Sequence, residues 1–221
     1  EKIKDNEWHF IFGNTDNTIS LESKEDGYFE TTVENIDNNY LYRFLIKSIN
    51  GKEFIPSKDR VSQFQPFDTV GWSQIVDHTS FKWTDKTWIS GQDKRKLISA
   101  SYKTTMIAME AHIGTLTPLG TIESALEKLE EIAKDGIYNT IELLPVSEFY
   151  GSMNWGYDGI DLFAPESSYC YSSKNKDYNP DYLKQFVDKA HSLGINVILD
   201  VVYNHLGSFY NMLDYFGPYV G

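Results

Sequence analysis

The 221-residue sequence is short of several things, and each shortage excludes something. It has one cysteine, Cys170, so no internal disulfide can form. No His/Asn context makes that thiol a nucleophile, and no Asn-x-Ser/Thr sequon occurs. Together these point to the cytoplasm. No apolar run approaches the roughly 18 to 20 residues of a membrane span; the longest apolar runs, at 141–146 and 195–203, are strand-sized. Basic residues are scarce, with 20 Lys and Arg against 32 Asp and Glu, a net charge of −12. That balance argues against a nucleic-acid partner and otherwise favours solubility. Aromatics, by contrast, make up 15% of the chain. Most belong to a core, although flat rings beside hydrogen-bonding groups also suit sugars.

The chain changes character near residue 100. Before it, short alternating stretches at 7–12, 27–33 and 40–48 read as strands, the last with Tyr42, Phe44 and Ile46 on one face. Asn50-Gly51 before a strand at 53–55 is a strong hairpin signal. A small antiparallel sandwich is expected, followed by a surface segment at 66–76. A polar linker at 84–105 comes next, with Trp83 and Trp88 as docking anchors.

After the linker, strands alternate with helices. Residues 106–113 read as a strand. A helix capped by Thr121 follows, with Ile122, Leu126, Leu129 and Ile132/Ala133 on its apolar face and Gly136 as its stop. A second strand at 138–144 runs into a long polar loop from 146 to about 178. Asn179-Pro180 then opens a helix ended by Gly194, and a third strand occupies 195–203. Such alternation, with near-continuous apolar strands, means parallel pairing, in either a doubly wound sheet or a (β/α)₈ barrel.

Asp200 sits inside the third apolar run, where an unpaired carboxylate is expensive. It therefore needs a partner or a polar cavity, and in parallel α/β folds that cavity lies at the C-terminal ends of the strands. Asn204 and His205 fall at the same end, as do Glu110-Ala111-His112 after the first strand. The long loop carries Asn154-Trp155-Gly156-Tyr157-Asp158-Gly159. Trp155 and Tyr157 can stack on a sugar and Asp158 can bind hydroxyls, with a packing role for Trp155 at the barrel mouth as the alternative.

Asp200-Val201-Val202-Tyr203-Asn204-His205 resembles the strand-three signature of the α-amylase superfamily, glycoside hydrolase family 13. Residues 154–169 resemble a loop of its maltooligosyl-trehalose trehalohydrolase and glycogen branching enzyme branch. Glu110-Ala111-His112-Ile113-Gly114-Thr115 resembles the first strand and loop of that branch, and residues 63–77 the end of its N-terminal sandwich. The resemblance implies an immunoglobulin-like (E-set) sandwich over 1–83, a linker over 84–105, and the first three strands of a (β/α)₈ barrel over 106–221. It implies retaining cleavage of α-glucosidic bonds in maltooligosyl-trehalose, with branching or non-catalytic glucan binding as alternatives. His205 would bind the sugar at the −1 subsite, Tyr157 would stack on it beside Asp158, and Asp200 would support the network. Trp155, His112 and Asn204 complete the substrate-binding set. Asn204 matches a calcium ligand of many α-amylases, but this branch generally lacks the ion, so no metal and no cofactor are expected. The nucleophile and acid/base of the family follow later strands, so they are expected beyond Gly221 and the isolated chain is expected to be inactive. An unfinished barrel would leave an open edge for self-association. Departures at 57–61, at Leu116 and at 170–177 bear on substrate choice.

Overall fold

The computed structural model describes residues 8–12, 18–47, 54–90 and 105–208. The N-terminal part is an antiparallel sheet. Strands β1 (Trp8–Phe12) and β2 (Thr18–Ser20) pair with each other. A separate ladder joins β3 (Glu22–Ser23) to β4 (Phe29–Glu30). Strand β5 (Leu41–Lys47) pairs with β1, with β6 (Phe54–Ser57) and with β7 (Ser73–Gln74). The order is β2-β1-β5-β6, with β7 also on β5. The β5–β6 register, Lys47 opposite Phe54, centres the connection on Asn50-Gly51, which lie outside the described residues. The strand expected at 27–33 is only Phe29–Glu30: Gly27 ends a 3₁₀ turn, and the residues beyond Glu30 join no ladder.

Residues 66–76 lie partly on the surface, with Phe67 and Val70 more than half exposed, and are partly tucked in. Phe64 is fully buried in the main core, Gln65, Thr69, Ser73 and Gln74 are buried beside it, and Gln74 N donates to Phe64 O. Helix α1 (Lys86–Ile89) follows within the expected linker. Trp88 is buried and stacks on His191 at 4.6 Å, and Thr84 donates through N and Oγ1 to the Asp188 carboxylate. Trp83 is partly exposed against Phe81.

The second part is α/β. Strand β8 (Ala108–Ala111) leads through the short helix α2 (Ile113–Leu116) into α3 (Ile122–Asp135). Thr121 caps α3 by accepting from Ser124 N, and Gly136 closes it at φ 65, a left-handed conformation that glycine adopts without a Cβ penalty. Its buried face is Ile122, Ala125, Leu129 and Ile132; Leu126 is only partly covered. Strand β9 (Thr140–Leu143) then forms the centre of a parallel sheet.

The stretch from 146 to 178 is not a polar loop. It holds an antiparallel arm, β10 (Ser147–Phe149) with β11 (Gly159–Pro165), and a small hairpin, β12 (Tyr171–Ser172) with β13 (Asp177–Tyr178). Helix α4 (Tyr182–Ser192) begins later than expected, with Asp181 as N-cap; Asn179 instead makes the preceding turn, its Oδ1 accepting from Asp181 N. Strand β14 (Asn196–Leu199) pairs parallel to β9, so the sheet order is β14-β9-β8. The third strand thus stops before Asp200.

The core lies between this sheet and α3 and α4, with Ile141, Leu143, Leu129 and Phe186 fully buried. Each contributes roughly 1.5–3 kcal/mol by leaving water. Asn139 latches the strand starts: its carbonyl accepts from Asn196 N and Nδ2, and its side chain bonds Ile107 N and Thr105 O. Among the described residues, the outer edge of β14 pairs with no strand, and no helix is long and apolar enough to cross a membrane. The molecule is mixed α and β with several small sheets and no closed barrel among the described residues.

Candidate functional site

Side chains alternate across strands, so register decides which residues share a face. Glu110 lies opposite Glu142, and Glu142 opposite Ile198. Asp200, two residues past Ile198, belongs to the same face; its N–H donates to Leu143 O and extends the ladder by one step. The helices cover the opposite face at Ile141 and Leu143, which leaves the carboxylate-bearing face open. Asp200 is half-buried and does not sit inside a strand, so the expected buried charge is instead a charge at the strand's exit.

The loop before β11 folds back onto this exit. Tyr157 Oη donates to Asp200 Oδ2 at 2.7 Å. That bond raises the tyrosine hydroxyl's pKa, as do the negative Glu110 and Glu142 nearby, so the phenol keeps its proton. Asn154 organises the turn: Oδ1 accepts from Gly156 N at 2.9 Å, and Nδ2 donates to Asp158 Oδ2 at 3.3 Å. Gly156 is obligatory here, because φ is +89 and a Cβ would stand 2.3 Å from Pro145 O. On the far side, His205 Nε2 lies 4.0 Å from Asp158 Oδ1, and His205 Nδ1 lies 3.2 Å from Asn204 Oδ1. Gly207 packs so tightly on Asp158 that an added Cβ would sit 2.4 Å from its carbonyl.

Tyr157, Asp158, Asp200, Asn204 and His205 therefore come together. Trp155 is beside them and 71% exposed. His112 has both ring nitrogens engaged. Nε2 lies 2.9 Å from Asn154 O and 2.9 Å from Tyr169 Oη, while Nδ1 lies 3.2 Å from Thr115 Oγ1. A carbonyl can only accept, so Nε2 carries a proton and donates it to Asn154 O. The ring pins the Asn154 turn to the end of β8. Sequence reasoning passed over Asn154 and Gly207 as individual residues; the 154–159 motif contained the first, and only φ and close approach reveal the second.

Beneath the loop, the β10–β11 arm buries four ionisable groups. Lys58 Nζ meets Asp161 Oδ2 at 2.5 Å, tying the segment after β6 to β11. Burial pushes Asp161 up to about 6 despite that partner. Glu148 accepts from Ser167 N and Oγ, and Glu166 accepts from Phe149 N, Ser168 N and Ser168 Oγ. Burial raises Glu166 to about 7 against these donors; Glu148 goes well above the usual range through burial and the Glu166 charge. Among the described residues, no group of three or more His, Cys, Asp or Glu is arranged to hold a metal.

No family profile matches the chain. It is 34% identical over 199 residues to a malto-oligosyltrehalose trehalohydrolase of Saccharolobus solfataricus, covering 90% of this chain and 31% of that protein. It is 30% identical over 195 residues to the 1,4-alpha-glucan branching enzyme GlgB of Pseudoalteromonas atlantica, covering 85% of this chain and 25% of that one. The chain thus spans about a quarter to a third of the length of these curated relatives. Among solved structures, a putative alpha amylase from Salmonella typhimurium superposes with a TM-score of 0.76 at 30% identity, over 94% of this chain and 31% of that one. The chain thus resembles malto-oligosyltrehalose trehalohydrolases and a branching enzyme in sequence, and an alpha amylase in fold.

Proposed function

We propose that this chain supplies the substrate-positioning part of an α-glucan-active glycoside hydrolase of the trehalohydrolase type. The observation that carries it is the Tyr157–Asp200 hydrogen bond, which brings the loop aromatic to the exit of β14 beside Asp158 and His205. Residues 1–83 would be an E-set sandwich and 84–105 a linker. Residues 106–221 would begin a (β/α)₈ barrel, with β8, β9 and β14 as its first three strands. The parallel order β14-β9-β8 supports this, as does the open face carrying Glu110, Glu142 and Asp200.

In this reading His205 hydrogen-bonds the sugar nearest the scissile bond, and Tyr157 stacks on it while Asp200 fixes its tilt. Asp158 and Asn204 bind hydroxyls, Trp155 offers a further exposed ring, and His112 holds the loop. Retaining chemistry needs a nucleophilic carboxylate and a second one as acid and base; we assign neither role to a residue of this chain. The single buried thiol supports a cytoplasmic setting. A branching-enzyme role is the second reading, favoured by the similarity to GlgB.

Titration calorimetry with maltotriosyl-trehalose and with maltopentaose tests the proposal on the 221-residue chain. Both should bind without release of glucose or trehalose, and the trehalose-ended sugar should bind more tightly. Equal affinities would favour the branching reading. Turnover would overturn the absence of chemistry, and loss of neither ligand in Tyr157→Ala/His205→Ala would overturn the site.

A further inference from the structure

A second polar groove lies apart from these residues. Its cavity, about 430 Å³, is lined by Asn38 and Asn39 before β5, by 74–77 after β7, and by 177–181 between β13 and α4. That volume falls within the roughly 300–1,000 Å³ of small-molecule sites. Its walls are held by main-chain bonds. Asn39 N donates to Ile75 O, Ile75 N to Tyr40 O, and Asn179 N to Cys170 O.

The three asparagines are used alike. Each spends its Oδ1 on the protein: Asn38 accepts from Asp77 N, Asn39 from Gln74 Nε2, and Asn179 from Asp181 N. Among the described residues, no protein acceptor takes their NH₂ groups, and the Asp177 carboxylate has no side-chain partner. The groove thus presents fixed donors next to acceptors. Tyr178, 40% exposed and 5.1 Å from the Tyr171 ring, adds an apolar face at its rim. Asp77, Asp177 and Asp181 outweigh Lys184 and His78, and Lys184 is already paired with Asp181 at 2.6 Å. A phosphate or other anion would be repelled. A neutral polyhydroxylated chain matches every group: amide NH₂ to hydroxyl oxygen, carboxylate from vicinal hydroxyls, ring face to ring face.

We propose that this groove is an accessory α-glucan binding site, distinct from the Tyr157–Asp200 site. The sugar class rests on the function proposed above; the groove itself rests on its own lining. It would hold a glucan chain by contacts remote from any bond cleaved, raising the effective concentration of the polymer at the first site.

The test is amide chemical-shift mapping of the full chain titrated with maltoheptaose. Two separate sets of signals should move, one at 38–39 and 177–179, the other around Tyr157 and His205. Tyr178→Ala and Asp177→Asn should each weaken the first set at least tenfold and leave the second unchanged. Thermal melting within a few degrees of wild type shows that these exposed changes leave the fold intact. Shifts confined to the Tyr157 side, or groove shifts indifferent to both variants, would overturn the groove. Groove shifts with a silent Tyr157 side would instead count against the proposed function and leave the groove standing.

Discussion

One hydroxyl joins the loop to the sheet at the candidate site. Tyr157→Phe removes the bond to Asp200 and keeps the ring. Because the tyrosine lies at the surface, the change should move the unfolding midpoint by less than about 0.5 kcal/mol equivalent. Malto-oligosaccharide affinity should fall roughly tenfold, the equivalent of about 1.4 kcal/mol, because the ring loses its fixed tilt. Calorimetry beside urea unfolding checks both; equal affinity would mean that Asp200 does not orient the ring. The residues that meet here stood out beforehand, Asp200, Asn204 and His205 at one strand end and Tyr157 and Asp158 in the long loop. The use made of His112 did not. Nothing in its spacing shows that one ring nitrogen serves Asn154 O and the other Thr115, a pairing that depends on a loop 42 positions away closing over it.

At the scale of elements, the β10–β11 arm is where the hydrophobic pattern misleads. Glu148, Asp161 and Glu166 interrupt the apolar run and make 146–178 read as a loop, yet all three are buried strand or strand-end residues. Partners distant in the chain, Lys58 for Asp161 above all, make that burial affordable. Helix α3 needed no such help: its cap, its stop and its face all stand in contiguous sequence. The buried acids leave a pH signature. Glu166 holds its proton up to about 7 in the fold but releases it near 4.5 once unfolded. Between those values the folded chain binds more protons, so stability falls as pH rises. Asp161, raised from 3.8 to about 6, and Glu148 act in the same direction. Urea unfolding should lose on the order of 3 kcal/mol between about pH 4.5 and 7 through Glu166. In Glu166→Gln the slope should flatten, at the expense of one acceptor for Phe149 N. A wild-type slope of the opposite sign would show that the donors, not burial, control these acids.

For the whole molecule, the parallel pairing of the strands followed from alternation of strands and helices, because parallel neighbours need crossover helices. The extent of exposed apolar surface at the sheet's margin was not visible in that alternation. Leu199 is 45% and Val201 51% exposed, and they border a cleft of about 200 Å³ with Leu162, Phe163 and Leu183. A strand edge beside apolar side chains favours pairing with another strand. Sedimentation of the isolated chain should show concentration-dependent association, and Leu199→Lys should shift it towards monomer without lowering the melting temperature by more than a few degrees. A monomer at every concentration would place the association elsewhere or nowhere.

Cys170 is fully buried in the core, within the field of Glu148 and Glu166. Its isolation makes it a clock. Burial raises the thiol's pKa and shuts it from solvent, so a thiol reagent reacts only when the surrounding structure opens. With a single sulfhydryl in the chain, each labelled molecule records one opening. Labelling rates that rise as urea lowers the global stability would mean that the arm opens only when everything does. Rates insensitive to low urea would reveal the arm breathing on its own, and with it the loop that carries Tyr157.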